Sequence, residues 1–310
     1  MDNLNVSYKH IGQTPSHWPS SPRFPAIVYF HGGGLTVGNR RSWFPTWLKD
    51  RIVAAGYVFI SADYRLLPGA TLHDIIDDIQ DLFTFLAQDD VPFKTDEGRS
   101  FGTDANSIAV AGSSAGGTCA YLAAIHATPK PKAILSLYGM CGNVFMPQYL
   151  IPKTEVFFLG RELLDPHNFS DLLYPNCKSL EVITDSPLAY HPPSSPTPGW
   201  PANPRMQLAR LHEPSLSAKL RPLLENNSYP EDPVALQNAM ESHIPAQHLT
   251  IFPQFNVTPS FPPAFLCHGT ADTAAGVPVR LLMLDEALYG LYFDEIVEFL
   301  KKALGPGTTD

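Results

Sequence analysis

The stretch that most constrains this chain is Ile108 to Gly117, reading Ile-Ala-Val-Ala-Gly-Ser-Ser-Ala-Gly-Gly. The apolar run Ile108 to Ala111 has strand character and enters Gly112-Ser113-Ser114-Ala115-Gly116, a G-x-S-x-G match. The next ten residues, Thr118 to Ala127, are rich in Ala and read as a helix. A strand feeding a tight turn with a central Ser, and then a helix, is the setting in which this motif forms a nucleophile elbow. The glycines have a steric reason: Cβ atoms two residues either side of Ser114 would collide with the flanking strand and helix. A helix start also aims free backbone N–H groups and a partial positive charge at whatever reacts there. A bare G-x-S-x-G also occurs as a plain Gly-rich turn; the flanking strand and helix are what favour the elbow. Ser114 is therefore the candidate nucleophile, with Gly112 and Gly116 shaping its turn.

Around this centre the chain alternates strands and helices. Phe24 to Phe30 is a continuous apolar run that suits a buried parallel strand, and it ends in His31-Gly32-Gly33-Gly34. Trp47 to Ala55 reads as a helix stopped by Gly56, and Tyr57 to Ala62 as the next strand, running into Asp63-Tyr64-Arg65-Leu66. Apolar residues at 75, 76, 79, 82, 83 and 86 make a helical stripe over Asp74 to Leu86. Asp74, Asp77 and Asp78 near its start read as dipole-favoured surface charges rather than catalysts. Ala133 to Tyr138 and Ala264 to Cys267 are further strands, and Val277 to Leu288 and Tyr292 to Leu304 two closing helices. Such alternation predicts an α/β fold, a mostly parallel sheet with helices on both faces.

Between these parts the composition shifts. Sixteen of the 31 prolines fall between Pro187 and Pro263, too dense for long helices. Tyr190, Trp200, Leu208, Leu211, Leu220, Phe252 and Phe255 supply more apolar area than a solvated linker carries. The expectation is one α/β domain over 1–310, with a polar lead over 1–23 and an irregular cap over about 141–260 that shapes a pocket. Short helical pieces are expected at Met206 to Leu211 and Val234 to Met240.

A net charge of −9 argues against nucleic-acid and anionic-membrane partners. No window approaches the ~18 apolar residues a membrane span needs, and Met1 to Gln13 has no apolar signal region. Cys119, Cys141, Cys177 and Cys267 show no metal or redox spacing and read as buried, reduced thiols, which points to the cytosol.

Four motifs in fixed order carry a family resemblance. His31-Gly32-Gly33-Gly34, Asp63-Tyr64-Arg65-Leu66, Gly112 to Gly117 and His268-Gly269-Thr270-Ala271-Asp272 resemble the hormone-sensitive-lipase-like group of α/β-hydrolases, in flavour its fungal members. The resemblance spans about residues 24–304. It implies acyl transfer from a small ester through Ser114, in a setting such as fungal secondary metabolism. Gly33, Gly34 and the N–H of Ala115 would form the oxyanion hole, each donor worth about 2.7–4 kcal/mol in the transition state. Asp272 would be the carboxylate that orients the base. Alternatives at single motifs stand beside this reading: a tight loop chosen for φ > 0 for the glycine box, and a turn-capping Asp for Asp272. Arg65, His31 and His268 carry structural expectations. No metal or organic cofactor is implied. The partner implied is a small-molecule ester or ligand.

The chain departs from the family in small ways at Ser113, where Asp is frequent, and at Gly69, where Glu is frequent. The large departure is the base: no residue after Asp272 is His, and Ala287-Leu288-Tyr289-Gly290 runs directly into Leu291-Tyr292-Phe293 where the family interposes a strand and a His loop. The last strand and the base look excised together. His191, His212, His243 and His248 lie in the cap region, and no spacing selects one as a substitute. A Ser without a base is a weak nucleophile; loss of a triad His costs about 10⁶ in kcat, while an oxyanion hole and binding leave about 10³–10⁴ over water. A lost edge strand also invites instability or homo-oligomeric pairing. The rival expectation is a hydrolase-like protein that binds a small ligand or partner in the old pocket.

Overall fold

The computed structural model describes residues 22–88, 93–95, 98–140, 163–187, 203–208, 238, 244–268 and 286–307, the first seven of the last stretch as backbone only. Chain order gives β1 (Arg23–Phe30), α1 (Thr46–Ala54), β2 (Val58–Ala62), α2 (Leu72–Leu86), β3 (Phe93–Lys94), β4 (Ser100–Ser113), α3 (Ala115–His126), β5 (Ile134–Leu137), α4 (Pro204–Leu208), β6 (Ala264–Cys267) and α5 (Glu286–Leu304).

Five strands form a parallel sheet in the order β2-β1-β4-β5-β6, and β3 adds an antiparallel pair to the start of β4. The predicted α/β architecture is what folds. The continuous apolar runs still alternate. Ala26, Val28 and Phe30 of β1 face one core, with α2 and α3; Ile27 and Tyr29 face the other, with α1 and α5. β4 does the same, Ile108 and Val110 one way and Ala109 and Ala111 the other. Each side of the sheet thus buries its own core, so neither run could afford a polar position.

Three differences from the sequence expectations have physical causes. β4 is 14 residues long, not four. Its first half is polar and hid from a hydrophobicity reading, yet it pairs with β3 and with Arg23 and Phe24 before an irregularity in register brings Ile108 opposite Ala26. Asp78 is buried rather than on the surface. Its carboxylate accepts hydrogen bonds from Arg65 Nε and from the Arg65 backbone N–H at 2.8–2.9 Å. The same guanidinium reaches the Asp74 carboxylate at 2.8 Å, and Asp74 closes a capping box with Thr71 at the start of α2. Arg65 is a structural residue, as expected.

The third difference lies at the end of the chain. α5 runs without interruption through Gly290, where the sequence pattern predicts two helices. One Gly in a helix interior costs only about 1 kcal/mol. The burial of Phe293, Ile296, Leu300 and Leu304 on one face exceeds that. Trp47 of α1 stacks on Phe293 with ring centroids 4.0 Å apart, which fixes α5 against α1.

Between residues 141 and 260 the described pieces are short: 3₁₀ turns at Pro166–Leu172, Asn176–Ser179, Ala246–Ile251 and Pro253–Phe255, besides α4. Apart from Asn238, which is helical, the expected helix at Val234 to Met240 lies outside the described residues, as do most of the apolar positions named between 190 and 220 and Cys141. Cys119 is a buried thiol, whereas Cys177 and Cys267 are only half-buried. No described helix is long and apolar enough to cross a membrane.

Candidate active site

The chain leaves β1 towards β2 on one side and returns towards β4 on the other. The strand order therefore reverses between β1 and β4, and in open α/β sheets the crevice at the carboxyl ends of such a pair is where ligands bind. His31 to Gly34 leave β1 there, and Ser113 and Ser114 leave β4. The register puts Phe30 opposite Gly112, Ser113 opposite Leu137, and Leu137 opposite Cys267. His31, Ser114, Tyr138 and His268 thus come to one edge of the sheet.

Ser114 caps α3 with φ 50° and ψ −122°, a conformation rare outside glycine. Its N–H donates to the Leu137 carbonyl at 3.0 Å and its carbonyl accepts from the N–H groups of Gly117 and Met140. The strained residue is thereby held from three sides. The flanking glycines are obligatory: a Cβ on Gly112 would lie 2.0 Å from the Gly116 carbonyl oxygen, and one on Gly116 would lie 2.1 Å from that of Phe30. These contacts draw strand, elbow and helix together around the Ser.

The glycine box abuts the elbow. A Cβ on Gly32 would stand 3.1 Å from the Ser113 carbonyl oxygen and 3.2 Å from the Ser114 Cβ. Gly33 and Gly34 take φ of 115° and 66°, and a Cβ on Gly33 would meet the Val37 carbonyl at 2.2 Å. The Gly33 carbonyl accepts from the N–H groups of Thr36 and Val37, closing the loop on itself. Ala115 is the first residue of α3, so its N–H has no partner within the helix.

His31 is structural, as expected. It is buried and stacks on Tyr64, the centroids 4.4 Å apart. Its Nδ1 lies 2.7 Å from the Gly32 carbonyl oxygen, an acceptor, so Nδ1 carries the proton and Nε2 does not. Burial pushes its pKa down, which keeps the ring neutral. The Tyr64 hydroxyl donates to the His31 carbonyl at 2.8 Å. His268 is buried at the end of β6. Of the cap histidines, His248 has its Nδ1 3.0 Å from Nε2 of His73 on α2; His191, His212 and His243 lie outside the described residues, as does Asp272.

Ser113, seen in the sequence only as a departure from a frequent Asp, has a definite role. Its hydroxyl lies 2.6 Å from that of Tyr29 and also bonds Tyr138. Both phenols are pushed up by burial. Nothing in the local sequence signals this trio, because Tyr29 is 84 residues from Ser113 and only the register joins them.

A family model described as an alpha/beta hydrolase fold matches residues 27–171, the stretch that holds the glycine box and the elbow. Over that stretch the chain is similar to this family, and its fold is the α/β-hydrolase fold. The chain is 34% identical over 133 residues to a Phoma protein named probable carboxylesterase M8, covering 42% of the chain and 41% of that protein. It is 35% identical over 106 residues to esterase LipI of Mycobacterium tuberculosis, covering 34% and 30%. The chain thus spans less than half the length of these curated relatives. Its fold is shared with a Staphylococcus aureus protein of unknown function, at 16% identity and a TM-score of 0.52 over 92% of this chain and 91% of that one.

Proposed function

We propose that this α/β-hydrolase acts on a small carboxylic ester by acyl transfer through Ser114. The observation that carries the reading is the strained Ser114 at the start of α3, with the glycine box packed against it. The Ser114 hydroxyl would attack the ester carbonyl, displacing the alcohol and leaving an acyl-enzyme that water then hydrolyses. The developing negative oxygen would be met by the N–H of Ala115 at the positive end of α3 and by the N–H groups of Gly33 and Gly34. Asp272 is assigned the orienting carboxylate by its place in the motif. The fungal carboxylesterase relative supports an ester substrate, and a role in fungal secondary metabolism is the setting the resemblance suggests. The cytosol, a cap over about 141–260 and association of copies belong to the same proposal.

A second reading is favoured by α5. One helix occupies Glu286–Leu304, where the family resemblance calls for a strand and a His-bearing loop. Without a base beside Ser114, the same crevice would hold a small ligand with little turnover. Hydrolysis of p-nitrophenyl acetate by the folded chain, measured beside Ser114→Ala, separates the two. Slow turnover well above buffer that vanishes in the variant is the expected result. Equal, near-background rates from both folded proteins leave the ligand-binding reading.

A further inference from the structure

A cleft of about 280 Å³ opens beside the elbow, on the α1/α5 side of the sheet. One wall comes from the loop after β1, with Trp43, Phe44, Pro45 and then Trp47 at the start of α1; the other comes from Leu137 and Tyr138 at the end of β5. Tyr29 contributes from below. Most of this wall is fixed by packing. Trp47 is stacked on Phe293, Phe44 meets the Phe59 ring edge-on at 5.6 Å, and Tyr29 stacks on Phe59 at 5.9 Å. Trp43 differs, with 53% of its surface exposed.

Backbone strain converges on the same place. Among the described residues, four that are not glycine have positive φ: Leu35, Trp43, Ser114 and Tyr138. Leu35 and Ser114 belong to the glycine box and the elbow. Trp43, at 45°, and Tyr138, at 39°, both line the cleft. Strain of this kind persists only where the surroundings enforce it, and it clusters at functional sites. No lining residue is charged, so an ion entering would lose its hydration without a counter-charge. The side-chain hydrogen-bonding groups on the lining are phenols and indole N–H groups. The volume falls just below that of drug-sized ligand sites, about 300–1,000 Å³, which leaves room for a guest of one or two rings.

We propose that this cleft binds a single neutral aromatic molecule of one or two rings, packed against the indoles of Trp43 and Trp47. Aromatic faces favour such a guest over an aliphatic one of equal size. The inference stands apart from hydrolysis, because Ser114 does not line the cleft. Leu137 links the two places, its side chain lining the cleft while its carbonyl accepts the Ser114 N–H.

The test is calorimetric titration of the whole chain with 2-naphthol, with its saturated counterpart decahydro-2-naphthol as the aliphatic comparison. Saturable one-to-one binding of 2-naphthol, at least fivefold tighter than decahydro-2-naphthol, is expected in the wild type and in Ser114→Ala. Trp43→Gly removes the exposed indole, and glycine accepts the positive φ without strain; it should weaken binding at least fivefold, and Trp43→Phe should restore part of the loss. Absence of saturable binding to the wild type, decahydro-2-naphthol binding as well, or a Trp43→Gly loss below fivefold would each overturn the proposal. Should Trp43→Gly not fold, Trp43→Phe alone decides it by whether affinity falls with the smaller ring.

Discussion

Gly116 lies so close to Phe30 that a Cβ on it would stand 2.1 Å from the Phe30 carbonyl oxygen and 2.7 Å from that of His31. Both obstacles are backbone at the end of a central strand, and neither can swing aside. Gly116→Ala should therefore cost at least the upper part of the range of about 1–3 kcal/mol seen for overpacked sites. Gly98→Ala is the control. It has φ +80° but nothing within 4 Å of the new atom, so only the left-handed conformation counts against it, about 1–2 kcal/mol. Urea midpoints should rank Gly116→Ala clearly below Gly98→Ala. Equal midpoints would mean the elbow does not press on β1.

The buried carboxylate of Asp78 makes a second stability prediction. It is nearly inaccessible and bound to both the side chain and the backbone of Arg65. Removing one member of such a pair leaves the other without its partner, at a cost of about 3–5 kcal/mol for full burial. Arg65 keeps some exposure, so Asp78→Ala should fall near the lower figure. Asp74→Ala loses an exposed cap and one ion pair, worth about 1 kcal/mol. Chemical denaturation of both variants checks the order, and a reversed order would place the weight of the network on the helix cap.

What the sequence made legible here is local. The apolar run of β1, the stripe on α2 and the Gly-Ser-Ser-Ala-Gly turn each carry their signal within a dozen residues, and each forms where expected. Ser114 and Gly32 come together because the two motifs follow strands that the register then aligns. The rest depended on distance in the chain. The Tyr29–Ser113–Tyr138 trio and the Arg65–Asp78 pair join residues that only packing makes neighbours, and polarity alone read Asp78 as exposed. The polar first half of β4 failed the hydrophobic test because its support is antiparallel pairing with β3. Trp43 gave no sign either, since its meaning lies in a positive φ.

Acid should weaken the fold through His31. Burial holds its pKa below the ordinary value of 6.5, so the folded chain resists a proton that the unfolded chain accepts. Its contribution is fully kept above about pH 6.5 and is lost as pH falls from there towards the folded value. His126, lowered first by burial, adds in the same direction. The melting temperature of the wild type should drop between pH 7 and pH 5 more steeply than that of His31→Gln, which cannot titrate there. Parallel profiles would mean that burial does not lower the ring's pKa in the folded protein.

The end of the chain offers the sharpest contrast between two arrangements. If Glu286–Leu304 is one helix, a proline at 290 removes a backbone hydrogen bond and clashes with the carbonyl four residues earlier, at a cost of about 3 kcal/mol or more. Because Phe293, Ile296 and Leu300 are anchored in the core, the helix cannot slide to escape the damage. If residue 290 instead sat between two helices, the same proline would fall in a connection and cost little. Gly290→Ala provides the reference, since alanine keeps the backbone N–H and favours the helix. Denaturation should show Gly290→Pro less stable than Gly290→Ala by at least about 3 kcal/mol, with a loss of helical dichroism. Equal stabilities would return the chain to two helices and reopen the space between them for the strand and loop that the family resemblance expects there.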